Sequence, residues 1–254
     1  MSTPTDPWRR LAALTPARIG LGRAGPGLPT REVLAFALAH ARARDAVHTP
    51  LDAERVTAQI AALGLNTVTV DSAAPDRATY LRRPDLGRTL SPACRAILVA
   101  GEPIDLAVVV ADGLSSAAVQ AHAAATVAAF LPHARRAGWR LGPVVVVRQA
   151  RVAIGDEIGQ AQGARAVAVL VGERPGLSAP DSLGIYLTHG PRQGRTDAER
   201  NCISNIHGRG LSAEAAAFKL AWLATEALRR ALTGVGLKDE SDLALTQGDP
   251  RTLI

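Results

Sequence analysis

The chain has 254 residues, 47% of them hydrophobic and 20% charged, which is enough apolar material for a well-buried core in one large or two modest domains and excludes disorder as the dominant state. Aromatic residues make up only 3%, so the core must be built from Ala, Val, Leu and Ile, and nucleic-acid binding through stacked bases is excluded for want of rings. The formal net charge of +6 is carried almost wholly by arginine, and Arg9, Arg10, Arg18, Arg23, Arg31, Arg42 and Arg44, set against Asp6, Glu32 and Asp45, give the first 45 residues a basic face suited to an acidic partner.

The start, MSTPTDPWRR, lacks the apolar centre of a secretory signal, and no apolar stretch approaches the ~20 residues of a membrane span. Cys94 and Cys202 have no C-x-x-C spacing, which fits reduced thiols in the cytoplasm. A Gly/Pro-rich turn region then leads into a helix for which Thr30 is the expected N-cap and in which Leu34, Leu38 and Ala41 recur at helical spacing. That helix should end before Pro50. A mixed, charged region follows, with "NTVTVD" as one candidate strand and "YLRRPDLGR" as an irregular loop. Residues 1–101 therefore read as a helical, loop-rich N-terminal part.

From residue 102 to 254 the pattern changes. "DLAVVVADG" is an unbroken apolar run, followed by a long helix capped by Ser115 or Ser116; "PVVVVRQA", a short helix at "IGDEIGQAQGA", and strands at "RAVAVLVGE", "SLGIYLTH" and "CISNIH" come next. A last long helix starts from a Ser212 cap and is expected to close at Gly234. Apolar strands without alternation, separated by helices, mean a sheet covered on both faces. The expected fold class is α/β, Rossmann-like, with a mostly parallel sheet.

In such sheets ligands sit beyond the carboxyl ends of the strands. Asp112-Gly113 and Glu173-Arg174-Pro175-Gly176 both fall at such ends, and a tight turn with an ion-paired glutamate is the competing reading for each. Gly20, Gly22 and Gly25 match G-x-G-x-x-G, but no convincing strand precedes them and Pro26 and Pro29 delay the helix, which argues against a dinucleotide-dependent oxidoreductase. Asn205-Ile206-His207-Gly208-Arg209-Gly210 approaches the D-x-H-x-x-G pattern that supplies a cobalt ligand in one group of corrinoid enzymes, with an amide where the orienting acid belongs. None of the other histidines has metal-ligand spacing with another, and no paired-carboxylate or nucleophile motif stands out.

The ordered strings "ARIGLGRAGPGLPTRE", "HARARDAVH", "YLRRPDLGR", "ADGLSS", "RVAIGDEIG", "VLVGERPGLSAPDSLGIY" and "ERNCISNIH", spanning roughly residues 9 to 240, resemble the small subunit of ethanolamine ammonia-lyase. The resemblance implies an adenosylcobalamin-dependent enzyme that turns ethanolamine into acetaldehyde and ammonia by radical chemistry. The large-subunit barrel would hold the substrate, and this chain would hold cobalamin against it. Carried over by matching positions, the implied cofactor contacts are Val152, Glu173 and Cys202, with no catalytic or metal-ligating residue in this chain. The cofactor would keep its own base on cobalt (base-on). The implied partner is the large subunit, in a hetero-oligomer with six copies of each, with no nucleic acid and no membrane. Free cytoplasmic enzyme is the expected location, with packaging in a bacterial microcompartment left open because the matched region starts almost at once. A non-catalytic assembly subunit is the alternative from another class.

Overall fold

The computed structural model describes residues 7–98 and 101–246. The polar start MSTPTD, read above as lacking a signal pattern, lies outside the described residues. In chain order the helices and strands are α1 (Pro7–Ala12), α2 (Thr30–His48), α3 (Ala53–Ala61), β1 (Thr67–Asp71), α4 (Arg77–Arg82), α5 (Pro92–Arg95), β2 (Ile104–Ala111), α6 (Ser116–Arg136) and β3 (Val144–Arg148). They continue with α7 (Ile154–Ala161), β4 (Ala164–Gly172), β5 (Leu183–His189), β6 (Asn201–Ile206), α8 (Ala213–Arg230) and α9 (Ser241–Thr246).

The six strands form a single sheet in the order β1-β3-β2-β4-β5-β6. The pairings β1 with β3, β3 with β2 and β2 with β4 are parallel; β4 with β5 and β5 with β6 are antiparallel. The chain is thus α/β with parallel strands over most of the sheet and helices on both faces. In β2, Leu106, Val108 and Val110 face α3, α6 and α8, whereas Ala107, Val109 and Ala111 face α7 and the segment holding Leu90, Cys94 and Leu98. Burial on both faces is why these strands read as unbroken apolar runs. Among the described residues no helix is long and apolar enough to cross a membrane.

Three local expectations are revised. "NTVTVD" is the edge strand β1, so the helical, loop-rich N-terminal part also supplies one strand of the sheet. Pro29, not Thr30, takes the N-cap position of α2, with no capping side chain, because Thr30 is already helical. The last long helix ends at Arg230, with Ala231 as its C-cap held at φ +55°, and Gly234 opens a short 3-10 turn instead. Ser115 and Ser212 cap α6 and α8 as expected, accepting from the Ala118 and Ala215 amides.

Candidate functional site

The chain leaves β2 toward β3 and leaves β4 toward β5, in opposite directions, which is the arrangement that opens a ligand crevice in a Rossmann-like sheet. Here the crevice is closed by backbone. The Leu114 amide donates to the Gly172 carbonyl at 2.9 Å. A Cβ on Gly113 would stand 2.1 Å from the Gly172 oxygen, and one on Gly172 would stand 2.0 Å from the Ser115 oxygen. Asp112 is spent on the same construction, its buried carboxylate accepting from the Gln149 and Ala150 amides at 2.8 Å each and from Arg77 Nη1 at 3.4 Å. At the end of β2 the structural reading wins.

Glu173, at the end of β4, has a different setting. One carboxylate oxygen, Oε2, accepts from the Ser182 hydroxyl at 2.5 Å and from the Asn205 amide at 3.3 Å. The other, Oε1, lies over Gly184, only 3.0 Å from where a Cβ on that residue would sit, and has no hydrogen-bond partner among the described residues. Asn205 itself holds φ +67° at the end of β6, a left-handed conformation that its short polar side chain tolerates. The carboxylate is therefore fixed on one side and available on the other.

Strand alternation explains what lies beside it. On β5 and β6, Leu183, Ile185, Leu187, Ile203 and Ile206 point into the core beneath α8, which sends Gly184, Tyr186, Cys202 and Ser204 to the opposite face. The eight-residue α7 covers β2 and β4 on that face but stops short of β5 and β6, leaving Cys202 and Ser204 exposed and Tyr186 half-buried. Cys202 is thus not the core thiol that its residue type alone would favour. It pairs across the strands with Tyr186. Val152 sits in the turn into α7 and packs, like Tyr186, against the core cluster on this side of the sheet. The three positions named from the sequence thus share one side of the sheet, with Glu173, Tyr186 and Cys202 in mutual reach.

The charges on this face are simple. Desolvation against the sheet, with the Glu173 carboxylate adding to it, pushes the Cys202 thiol above its ordinary value. Desolvation, then Cys202 and Glu173, raise the Tyr186 phenol as well. Both groups stay neutral at neutral pH. Without a metal, Cys202 offers a weakly polar contact as a neutral thiol. Among the described residues no group of three His, Cys, Asp or Glu is placed to hold a metal. His207 is spent internally: its Nε2 pairs with Asn205 Oδ1 at 2.8 Å while Nδ1 accepts the Arg209 amide at 3.3 Å. The glycine-rich segment is equally committed, since Gly20, Gly22 and Gly25 all hold positive φ, no strand precedes them among the described residues, and α2 begins only at Thr30.

Sequence reasoning missed Ser182, Gly184, Tyr186 and Asn205. One signal was available: the connections before "SLGIYLTH" and before "CISNIH" carry no helical pattern, and parallel strands need a crossover of a dozen or more residues, usually helical. Antiparallel pairing was therefore readable, and with it the sharing of a face by Tyr186 and Cys202 within one register choice.

Over residues 5–238 the chain matches the family described as "Ethanolamine ammonia-lyase light chain (EutC)". It is 56% identical over 258 aligned residues to the ethanolamine ammonia-lyase small subunit of Xanthomonas campestris pv. campestris, with 98% of this chain and 95% of that one covered. It is also 56% identical to the small subunit from Bradyrhizobium diazoefficiens, with 94% and 93% covered, and 51% identical to that from Ralstonia nicotianae, with 98% and 94% covered.

Proposed function

The chain belongs to the ethanolamine ammonia-lyase light-chain family, and we propose that its uncovered β5–β6 face holds adenosylcobalamin against the large subunit, where ethanolamine is converted to acetaldehyde and ammonia. A small subunit of this lyase implies a large-subunit partner, and the substrate site belongs to that partner in this reading. The observation that carries the proposal is the open sheet face bearing a half-fixed carboxylate. An uncovered sheet face leaves room for a macrocycle to lie against it, and the cofactor's amide side chains need acceptors.

The residues present fit that group. Glu173 Oε1 is a free acceptor aimed across Gly184, where the lack of a side chain leaves room for the carboxylate to lie against the strand. Cys202 and Tyr186 give a neutral, weakly polar surface, and Val152 adds an apolar contact from the turn into α7. When bound, adenosylcobalamin supplies the radical chemistry. This chain's own residues bind it, orient it and exclude water from one side, and none of them acts on substrate. In this proposal residues 102–254 hold the cofactor and residues 1–101 dock the large subunit, in a cytoplasmic assembly with six copies of each chain.

The test is visible absorption of copurified large and small subunits after gel filtration. Loss of a hydrogen bond to a charged group costs about 1.5–3 kcal/mol, so Glu173→Ala should weaken cobalamin retention roughly 10- to 100-fold with the complex intact. Equal retention in both proteins would reduce Glu173 to turn chemistry, and an intact complex with no cobalamin in either would leave an assembly subunit. If the cofactor keeps its own base on cobalt, it would need no ligand from this chain. His207→Ala should accordingly leave the absorption of the bound cofactor as in wild type, whereas a changed spectrum would make His207 a ligand.

A further inference from the structure

The helix α2 carries an apolar face that nothing among the described residues covers. Its inner stripe, the side turned to the rest of the protein, consists of the half-buried Glu32, Ala39 and Ala43 and the buried Ala46. At 100° per residue, Leu34, Ala37, Leu38 and Ala41 lie on the opposite side, at the i, i+3, i+4, i+7 spacing of a helix face meant for burial. Yet Leu34 is 63% exposed and Leu38 52% exposed, and Val33 at the edge of the stripe is exposed too. The same residues whose spacing predicts a packed helix thus point to solvent. Leu28, just before the helix, extends the exposed apolar surface.

Charge selects the occupant. Arg31, Arg42 and Arg44 on α2 are exposed on either side of this stripe, Asp45 continues it toward the end of the helix, and Arg31 already holds the Glu32 carboxylate at 2.8 Å. A second copy of this chain would bring three arginines and a single carboxylate against the same set, a net like-charge contact that repulsion disfavours. The stripe fits instead a groove that is apolar along its floor and acidic at its rim. We propose that α2 docks by its Leu34–Ala37–Leu38–Ala41 stripe into such a groove on the large subunit. The inference rests on the reading of this chain as a subunit of that complex, and it adds the surface, the contact mode and the charge of the partner's site.

The experiment uses full-length large and small subunits and measures their association by sedimentation, beside thermal unfolding of the small subunit alone. Leu34→Glu/Leu38→Glu should weaken association about 100-fold or more, as expected for loss of two central apolar anchors. It should leave the melting temperature of the small subunit unchanged, because both side chains are already in water. Arg42→Glu/Arg44→Glu, a milder change at the rim, should weaken association and flatten its dependence on salt. Undiminished association of the leucine variant overturns the proposal. So does a homodimer of the small subunit that the leucine variant dissociates while the complex persists. Wild-type subunits that fail to associate at all would overturn the subunit reading along with it, an outcome visible without any variant.

Discussion

Arg200→Leu is expected to cost the protein about 3–5 kcal/mol of unfolding free energy, the range for stripping one partner from a buried ion pair. Arg200 and Asp156 are 1% and 3% exposed in their side chains. The pair is bidentate, Nη1 to Oδ1 at 2.7 Å and Nη2 to Oδ2 at 2.6 Å, and Arg200 also donates to the Thr188 hydroxyl at 2.9 Å and the Arg195 carbonyl at 3.1 Å. Removing the guanidinium leaves a carboxylate desolvated and unpaired in the first turn of α7. Replacing both partners by apolar residues of similar volume, as in Arg200→Met/Asp156→Leu, should recover most of the loss, since the attraction of such a pair largely offsets its own desolvation. Chemical denaturation of the isolated subunit reads both. A single variant as stable as wild type would mean that water reaches Asp156 and the pair is not buried in solution.

The same substitution should lower cobalamin retention. Asp156 belongs to α7, Thr188 to β5, and Arg200 directly precedes β6, two residues before Cys202. The pair is thus a staple that ties the start of α7 to the end of β5 and the start of β6, beside the open face. An effect on stability without one on retention would separate the staple from the cofactor surface.

How much of this was legible in the chain follows from which forces act locally. The apolar runs of β2, β3 and β4, the Ser115 and Ser212 caps and the helices between them depend on neighbours in sequence, and they could be read. The edge strand β1 was ambiguous because "NTVTVD" is half-exposed at a sheet edge, and its short alternation resembles many loops. Glu173 could be placed at a strand end by position alone, but its two unlike oxygens depend on Ser182 and Asn205, which meet it only through antiparallel pairing. Asp112 failed as a ligand candidate for a similar reason. Its partners, the amides of Gln149 and Ala150, lie 37 and 38 residues away along the chain. The stripe on α2 shows the converse: the helical spacing of Leu34, Leu38 and Ala41 was legible, but their exposure among the described residues was not.

Gly172→Ala should cost about 2–4 kcal/mol, an overpacking cost with a lost backbone hydrogen bond added. The new Cβ would fall 2.0 Å from the Ser115 oxygen and 2.6 Å from the Asp112 oxygen, both backbone atoms, so no rotamer change relieves it. The β2–α6 turn would have to lift from the end of β4, breaking the Leu114 amide bond to the Gly172 carbonyl and loosening the Ser115 cap. Gly184→Ala is the informative contrast. There the Cβ meets the Glu173 side chain at 3.0–3.4 Å, the far end of a flexible group that can swing away. Stability should change little while cobalamin retention falls, because the carboxylate is pushed off the strand it lies on. The two glycines sit on adjacent strands, Gly172 on β4 and Gly184 on β5, one in the closed crevice and one on the open face. If Gly172→Ala were as stable as wild type, the crevice between β2 and β4 would be loose enough to admit a ligand, and the case for the β5–β6 face would lose its geometric basis. If Gly184→Ala kept full retention, Glu173 would not need its place against the strand to bind, and the free carboxylate oxygen would not be the acceptor that holds the cofactor.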